Sequence, residues 1–136
     1  MTINYQVGDT LPPLKHTATS FQLFRYSAVT WNPHRIHFDE RYAREEGHDG
    51  VALHSHLRAA LALRCVAEGL GPGWRVTKVA YRLRKPVYAP AELAYTARVT
   101  ATEGDTMTLE LIEQQLSGEV GFEGTVSVGK TPGATP

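Results

Sequence analysis

The chain has 136 residues, and its 14 basic and 14 acidic side chains give a formal net charge of zero at pH 7. The lack of a basic excess argues against a nucleic-acid or anionic-membrane partner, and 42% hydrophobic with 21% charged residues is typical of a soluble globular protein. The length predicts one domain, residues 1–129, followed by a disordered tail over residues 130–136.

A short helix is predicted between Ser20 and Val29, after an extended segment in which Pro12-Pro13 excludes a helix. The hydroxyl of Ser20 can accept a hydrogen bond from a free amide at the start of this helix. At helical spacing, one face of the segment carries three apolar side chains, those of Phe21, Phe24 and Ala28.

A second short helix is predicted over residues 40–46. Asp39 stands directly before it and has the side chain of a helix cap, and Gly47 is expected to end it. The run Trp31-Asn32-Pro33 separates the two helices, because proline disfavours helical backbone in the residue before it.

The longest predicted helix runs from Leu53 to Leu70 and is apolar on almost every side, so protein must bury most of it. The glycine-rich run of residues 69–73 provides its stop signal. Cys65 lies inside this apolar segment and is predicted to be an inert core residue.

After Trp74 the hydrophobic period changes from helical to alternating, which predicts about four antiparallel strands. Hairpin turns are expected at Glu103-Gly104-Asp105 and at Ser117-Gly118. One short strand, helices, a long buried helix and then a run of strands predict an α+β fold, with an antiparallel sheet wrapped around the long helix.

Three features predict a cytoplasmic location. The first ten residues are polar and lack the apolar core of a signal peptide. No stretch of about 18 apolar residues predicts a membrane-spanning helix. The single cysteine cannot form an internal disulfide, which is consistent with a reducing compartment.

Four of the six histidines lie in two clusters, one over residues 34–37 and one over residues 54–56. Imidazole suits proton transfer because its pKa lies close to neutral pH. The first cluster follows a helix break, and the second opens the long helix, whose free amides and positive dipole end can hold an anion. Zinc would accept four imidazoles, but no cysteine or carboxylate completes a usual ligand spacing, so we predict no metal.

Residues 30–57, TWNPHRIHFDERYAREEGHDGVALHSHL, resemble the hydratase motif of MaoC-like hot-dog enzymes, most closely the hydroxyacyl-thioester dehydratase type 2 subgroup. Residues 82–93, RLRKPVYAPAEL, resemble the strand, proline, strand passage of that family. The resemblance implies a hot-dog fold and dehydration of a 3-hydroxyacyl thioester of CoA or ACP in fatty acid metabolism, or the reverse (R)-specific hydration. It also implies a homodimer, or a heterodimer with a second hot-dog chain, formed through the sheet. No cofactor is expected, because water is the only other reactant.

The motif can be carried over residue by residue. The family's histidine falls on His37, the following acid on Asp39, and the His-Gly pair on His54-Ser55. The chain departs from the family at two places. The ungapped match puts Asn32 where the family has its catalytic Asp, whereas matching Asn-Pro puts Thr30 there, and Ser55 replaces the glycine whose amide faces the thioester carbonyl.

The resemblance implies that His37 is the proton-transfer group, directly or through a water, with His34 as a second group. Asn32 cannot take a proton, but it can orient that water or the imidazole. Asp39 is either a catalytic acid or, as the helical run after it favours, only a cap. The amide of Ser55, beside His54, suits the negative charge that develops on the thioester oxygen.

Arg82 and Arg84 are candidates to bind the phosphates of coenzyme A or of a phosphopantetheine arm, or they form the solvated face of a strand. Two other functions stay open. A hot-dog thioesterase would need a carboxylate to activate water, and only Asp39 and Glu45 are placed for this. A non-catalytic partner subunit would pair with a second hot-dog chain, which Asn32 favours and His37 opposes.

Overall fold

The computed structural model describes residues 4–133 and places one long helix against a five-stranded antiparallel sheet. The strands lie in the order β1-β3-β4-β5-β2, so β1 and β2 form the two edges. Between residues 35 and 37 the chain forms a single 3₁₀ turn. The elements are β1 Leu14–Ala18, α1 Ser20–Val29, α2 Glu40–Glu45, α3 Ser55–Leu70, β2 Trp74–Leu83, β3 Ala91–Glu103, β4 Thr106–Gln115 and β5 Val120–Lys130.

Helix α3 lies against the sheet and contacts β1, β2, β3 and β4. Its apolar side chains and the inward-facing residues of the strands form one buried cluster, which is why the sequence of α3 is apolar on almost every side. Cys65 belongs to this cluster, 2% exposed, and burial raises the pKa of its thiol. The predicted α+β architecture is confirmed. No helix in the described part of the chain is long and apolar enough to cross a membrane.

Helix α1 ends at Val29 as predicted but begins one residue earlier, because its cap is Thr19 and not Ser20. The Thr19 hydroxyl accepts the amide of Gln22 at 3.2 Å, because Thr19 has the extended backbone that a cap requires while Ser20 is already helical. The helix meets the core through Leu23 and Ser27. Its three regularly spaced apolar side chains instead point away from the core and are exposed, those of Phe21, Phe24 and Ala28.

The sequence predicted the start of α2 correctly and the start of α3 two residues too early. Asp39 caps α2 as predicted, accepting the amide of Tyr42 at 3.0 Å. Helix α3 begins two residues after the predicted Leu53, because the Leu53 amide donates to the carbonyl of Val87 at 2.9 Å. This bond holds the chain extended up to His54, immediately before the helix.

The last strand extends one residue beyond residue 129, where the sequence predicts the end of the domain. Strand β5 runs to Lys130, whose amide donates to the carbonyl of Asp105 at 2.9 Å, and the Thr131 amide donates to Gly73 at 2.8 Å. The rest of the predicted tail, residues 134–136, lies outside the described residues. Both predicted hairpin turns are present, with Gly104 and Gly118 at positive φ, which glycine adopts at little cost.

Candidate active site

His37 is held inward by the 3₁₀ turn that precedes α2 and is 8% exposed. Its Nδ1 lies 2.6 Å from the carbonyl oxygen of Ala52. A carbonyl can only accept, so Nδ1 carries the proton in the neutral ring and Nε2 is left as the basic nitrogen. The backbone of the segment before α3 thereby fixes the tautomer that a general base requires.

The ring of His54 stacks on that of His37, with centroids 3.8 Å apart and an interplanar angle of 18°. His54 is 1% exposed, and its Nε2 lies 2.7 Å from the hydroxyl of Ser27. Its Nδ1 has no hydrogen-bond partner among the described residues. The histidine motif did not point to Ser27, which the sequence places only on a helix.

Burial keeps both stacked rings neutral. Loss of solvation lowers the pKa of His54 to about 4, and the neighbouring His37 and His56 reinforce the effect. Burial also lowers the pKa of His37, which the hydrogen bond to Ala52 partly opposes and the nearby His34 and His48 strengthen. At pH 7 the stack is therefore uncharged, and His37 is ready to accept a proton.

A cavity of about 380 Å³ opens beside this stack. It brings together four of the predicted site residues, Asn32, His37, His54 and Ser55, and the end of β2 closes its other side with Leu83, Lys85 and Pro86. No acidic side chain borders it among the described residues; its remaining lining residues are Ile36, His48, Ala52, Leu53, His56 and Arg58.

The amino terminus of α3 borders the cavity. Ser55 is the first helical residue, and His54 before it makes no side-chain cap. The first amides of a helix have no acceptor within the helix and carry the positive end of its dipole. An oxyanion placed in the cavity would find these donors already oriented.

Asn32 and His34 flank His37 differently. The Asn32 side-chain oxygen accepts the backbone amide of His34 at 3.2 Å, which leaves its NH₂ group as the free donor. The His34 ring stands edge-on to His37 with centroids 5.8 Å apart, is exposed, and does not border the cavity. Of the two, only Asn32 is in a position to orient a water molecule or a ligand inside.

Asp39 does not border the cavity, which favours its interpretation as a helix cap over that as a catalytic acid. One of its oxygens caps α2, and the other pairs with Arg35 at 2.6 Å. The Tyr42 amide and then the Arg35 guanidinium hold the pKa of Asp39 below its usual range. A carboxylate stabilised in its charged form by these partners is a poor proton donor.

Arg82 and Arg84 also lie away from the cavity. Both pair with Glu123 on the exposed face of the sheet, at 2.9 Å and 2.6 Å. Arg82 near the end of β2 and Arg84 just after it are both exposed, which favours the second interpretation of the sequence, a solvated face. Lys85, one residue further, borders the cavity as Arg58 does, and it pairs with Glu119 at 2.8 Å.

A second cavity, of about 410 Å³, adjoins the first and shares Asn32 with it. Its wall is almost entirely apolar, with Ser27 as the one other polar residue. The apolar lining comes from α1 and the turns after it, namely Phe24, Ala28, Trp31, Pro33 and Phe38. An apolar group attached to a ligand in the first cavity would find a matching surface here.

The low pKa of His54 predicts loss of stability in mild acid. The unfolded ring takes up a proton near pH 6.5, whereas the folded ring does so only near pH 4. Protons therefore favour the unfolded chain across that window, and the free energy of unfolding should fall by about 2 kcal/mol between pH 7 and pH 5. Urea unfolding at the two pH values measures this difference.

In His54→Gln, the pH-dependent loss should be clearly smaller, and the part that remains comes from His37, whose pKa burial also lowers. His16→Gln, on β1 and away from the stack, is the matched control and should keep the full loss. An undiminished loss in His54→Gln would show that another group causes the acid sensitivity.

The family profile described as hydroxyacyl-thioester dehydratase type 2 matches residues 8–89. Among curated proteins, the chain is 33% identical over 108 residues to mesaconyl-C(4)-CoA hydratase of Chloroflexus aurantiacus, a match that covers 79% of this chain and 36% of the relative. The chain spans about a third of the length of the curated relatives it matches.

Solved structures agree on the fold. The (R)-hydratase from A. caviae involved in PHA biosynthesis superimposes with a TM-score of 0.86 at 20% identity, covering 92% of this chain and 96% of that one. A chain of the ChsH1-ChsH2 complex from Mycobacterium tuberculosis gives 0.86 at 23% identity, covering 96% and 100%. These likenesses confirm the predicted hot-dog fold.

Proposed function

The chain belongs to the hydroxyacyl-thioester dehydratase type 2 family, and from that premise we propose that it dehydrates a 3-hydroxyacyl thioester or hydrates the corresponding 2-enoyl thioester. One observation carries the proposal. His37, a buried residue whose Nε2 is left basic, and Ser55, the first residue of α3, line the same cavity, and no acidic residue among the described ones does.

His37 alone balances the protons of this reaction. In the dehydration direction, Nε2 takes a proton from carbon 2, and the electrons of that bond form the double bond to carbon 3. The bond from carbon 3 to the hydroxyl oxygen breaks, and the imidazolium returns its proton to the departing oxygen, which leaves as water. Asn32 donates a hydrogen bond to that oxygen, and the ring ends the cycle neutral.

The amide of Ser55 supports the same step at the other end of the substrate. Loss of the carbon 2 proton places negative charge on the thioester oxygen. A fixed N–H donor stabilises this charge more strongly than it stabilises the neutral carbonyl, so the amide lowers the barrier. The positive end of the α3 dipole acts in the same direction.

The two cavities suggest how the thioester lies. The reacting carbons occupy the polar cavity between His37 and Ser55, and the acyl group passes Asn32 into the apolar cavity. The carrier, CoA or ACP, extends out of the cavity past Lys85, which follows the end of β2. A thioesterase is less well supported, because Asp39 is used as a cap and Glu45 pairs with Arg41 at the surface.

The direct test is an assay on crotonyl-CoA with two readings. Loss of the absorbance of the conjugated enoyl thioester measures hydration, and a thiol reagent measures release of free CoA. Hydration without thiol release supports the proposal. Thiol release in step with substrate loss supports a thioesterase, and inactivity of the purified chain until a second hot-dog chain is added supports a partner subunit.

We also propose that the active form pairs with a second hot-dog chain, its own copy or a relative, along β2. Among the described strands, β2 pairs with β5 alone and is an edge strand of the sheet. Four of its apolar side chains lie opposite β5 residues of the core face yet are 37–43% exposed, namely Val76, Val79, Tyr81 and Leu83. A second sheet aligned along this edge would cover them and would close the cavity beside Leu83.

Val79→Glu should weaken self-association at least ~10-fold, because a carboxylate would be buried without a partner. Sedimentation of both proteins across a concentration series measures this change. Val29→Glu introduces the same charge on α1, where the side chain is 80% exposed, and should leave association unchanged. An unaltered dimer in Val79→Glu would exclude β2 as the interface, and a monomeric wild type would favour a different chain as the partner.

A further inference from the structure

Helix α3 carries one charged side chain that is buried in the core. Arg58 is 1% exposed and lies one turn after His54, to whose carbonyl its backbone amide donates at 3.1 Å. A buried guanidinium is costly unless every nearby acceptor is arranged around it. The sequence analysis did not identify Arg58; a charged residue in the largely apolar first half of α3 is the signal that could have found it.

The partners of Arg58 come from three separate parts of the sheet. Its Nε donates to both oxygens of Glu113 on β4, at 3.0 Å and 3.2 Å, and its Nη2 donates to Glu113 Oε1 at 2.6 Å. Nη2 also donates to the carbonyl of Gly121 on β5 at 2.7 Å, and Nη1 donates to the carbonyl of Lys85 at 3.0 Å.

The Glu113 carboxylate has a further hydrogen-bond partner besides Arg58. The carboxylate is fully buried, and its Oε2 accepts the hydroxyl of Tyr95 on β3 at 2.7 Å. A side chain at position 121 would not fit, because its Cβ would lie 2.7 Å from Arg58 Nη2 and 2.9 Å from Glu113 Oε1. Glycine there allows the backbone of β5 to approach the guanidinium.

These contacts join the two walls of the cavity. Arg58 borders the cavity itself and belongs to the helix whose first turn carries Ser55. Lys85 and Pro86 form the opposite wall. The carbonyl of Gly121 accepts Arg58 together with the backbone amides of Arg84 and Lys85, at 2.8 Å and 3.3 Å, so the chain leaving β2 is fixed to the same point.

We propose that Arg58 is a positioning residue, which with Glu113 sets the spacing between the amino terminus of α3 and the β2 end of the cavity. The proposal rests on the proposed function for its kinetic consequence. A buried ion pair of this kind adds little net stability compared with apolar side chains of similar size. Its bidentate geometry and its two carbonyl contacts instead define one arrangement of helix and strands.

The test replaces the network without leaving a buried charge. The triple variant Arg58→Met, Glu113→Leu, Tyr95→Phe removes both charges and the hydroxyl and keeps the volume. It should unfold at a temperature near or above that of the wild type. Its kcat on crotonyl-CoA should fall at least ~10-fold with a much smaller change in KM, because a displacement of about 1 Å can cost up to 100-fold in rate.

A second reading does not depend on turnover. The stacked rings of His37 and His54 shield each other's protons, so displacement of the first turn of α3 should shift their NMR signals. The matched control is Arg64→Met, Glu68→Leu, which removes an exposed ion pair from the same helix and should change neither reading. If the triple variant does not fold, Arg58→Lys replaces it in both measurements. Lysine keeps the charge but cannot make the bidentate contact.

The outcomes separate the two proposals. A folded variant with lower kcat and shifted ring signals supports the positioning role of Arg58. A folded variant with wild-type kcat and unshifted signals overturns it. If the wild type does not hydrate the thioester, the proposed function fails, and the ring signals alone then decide the positioning role.

Discussion

Replacing His37 with alanine is expected to lower kcat by about 10²- to 10⁴-fold, the range that a positioned acid–base group contributes. Among the described residues that border the cavity, His37 is the histidine whose tautomer a backbone carbonyl fixes, through the contact of its Nδ1 with the Ala52 oxygen. Loss of that bond should cost about 1 kcal/mol of stability, which leaves the chain folded. Steady-state kinetics on crotonyl-CoA, with circular dichroism as the folding check, measure both effects.

His34→Ala is the matched control, because the His34 ring is close to His37 but outside the cavity. Its kcat should stay within a few-fold of the wild type, and an equal loss in both variants would make His34 the second proton-transfer group. In the wild type, the acid limb of kcat/KM should lie below pH 6.5, since burial lowers the pKa of His37. Near-normal turnover in His37→Ala would remove this residue from the mechanism.

The architecture could be predicted because its periodicities are long and unambiguous. The apolar stretch within residues 53–70 has only one stable solution, a helix buried on most sides, and the alternation after Trp74 permits only strands. Short elements were less certain. In α1, three apolar side chains at helical spacing face away from the core, because the helix meets it through Leu23 and Ser27. The pattern of a ten-residue helix does not show which of its faces packs against the core.

The sequence predicted only those site residues that belong to a local motif. Resemblance placed His37, His54 and Ser55 in one motif, and the cavity brings them together. It could not find Ser27, which touches His54 from 27 residues away, or the partner of Arg58, which is 55 residues away on β4. Such contacts depend on how strands align across the sheet, which a single sequence does not specify.

Replacing Ser55 with proline should lower kcat/KM by about 10²- to 10³-fold, the effect of deleting one donor to a developing oxyanion. Position 55 allows this deletion without breaking the helix. Its amide has no acceptor within α3, and proline is favoured as the first residue of a helix. His54 already has ψ of 137°, the extended backbone that proline requires of the residue before it.

Two companion variants distinguish the role of the Ser55 amide from that of the Ser55 side chain. Ser55→Ala and Ser55→Gly both keep the N–H, so both should retain near wild-type activity if the hydroxyl has no part in the chemistry. The loss in Ser55→Pro should fall mainly on kcat, because the donor binds the charged oxygen of the transition state more tightly than the neutral carbonyl of the substrate. If Ser55→Pro folds and matches Ser55→Ala in rate, the amide does not bind the oxyanion. The serine in place of the family's glycine would then mark a site that holds its thioester by other donors.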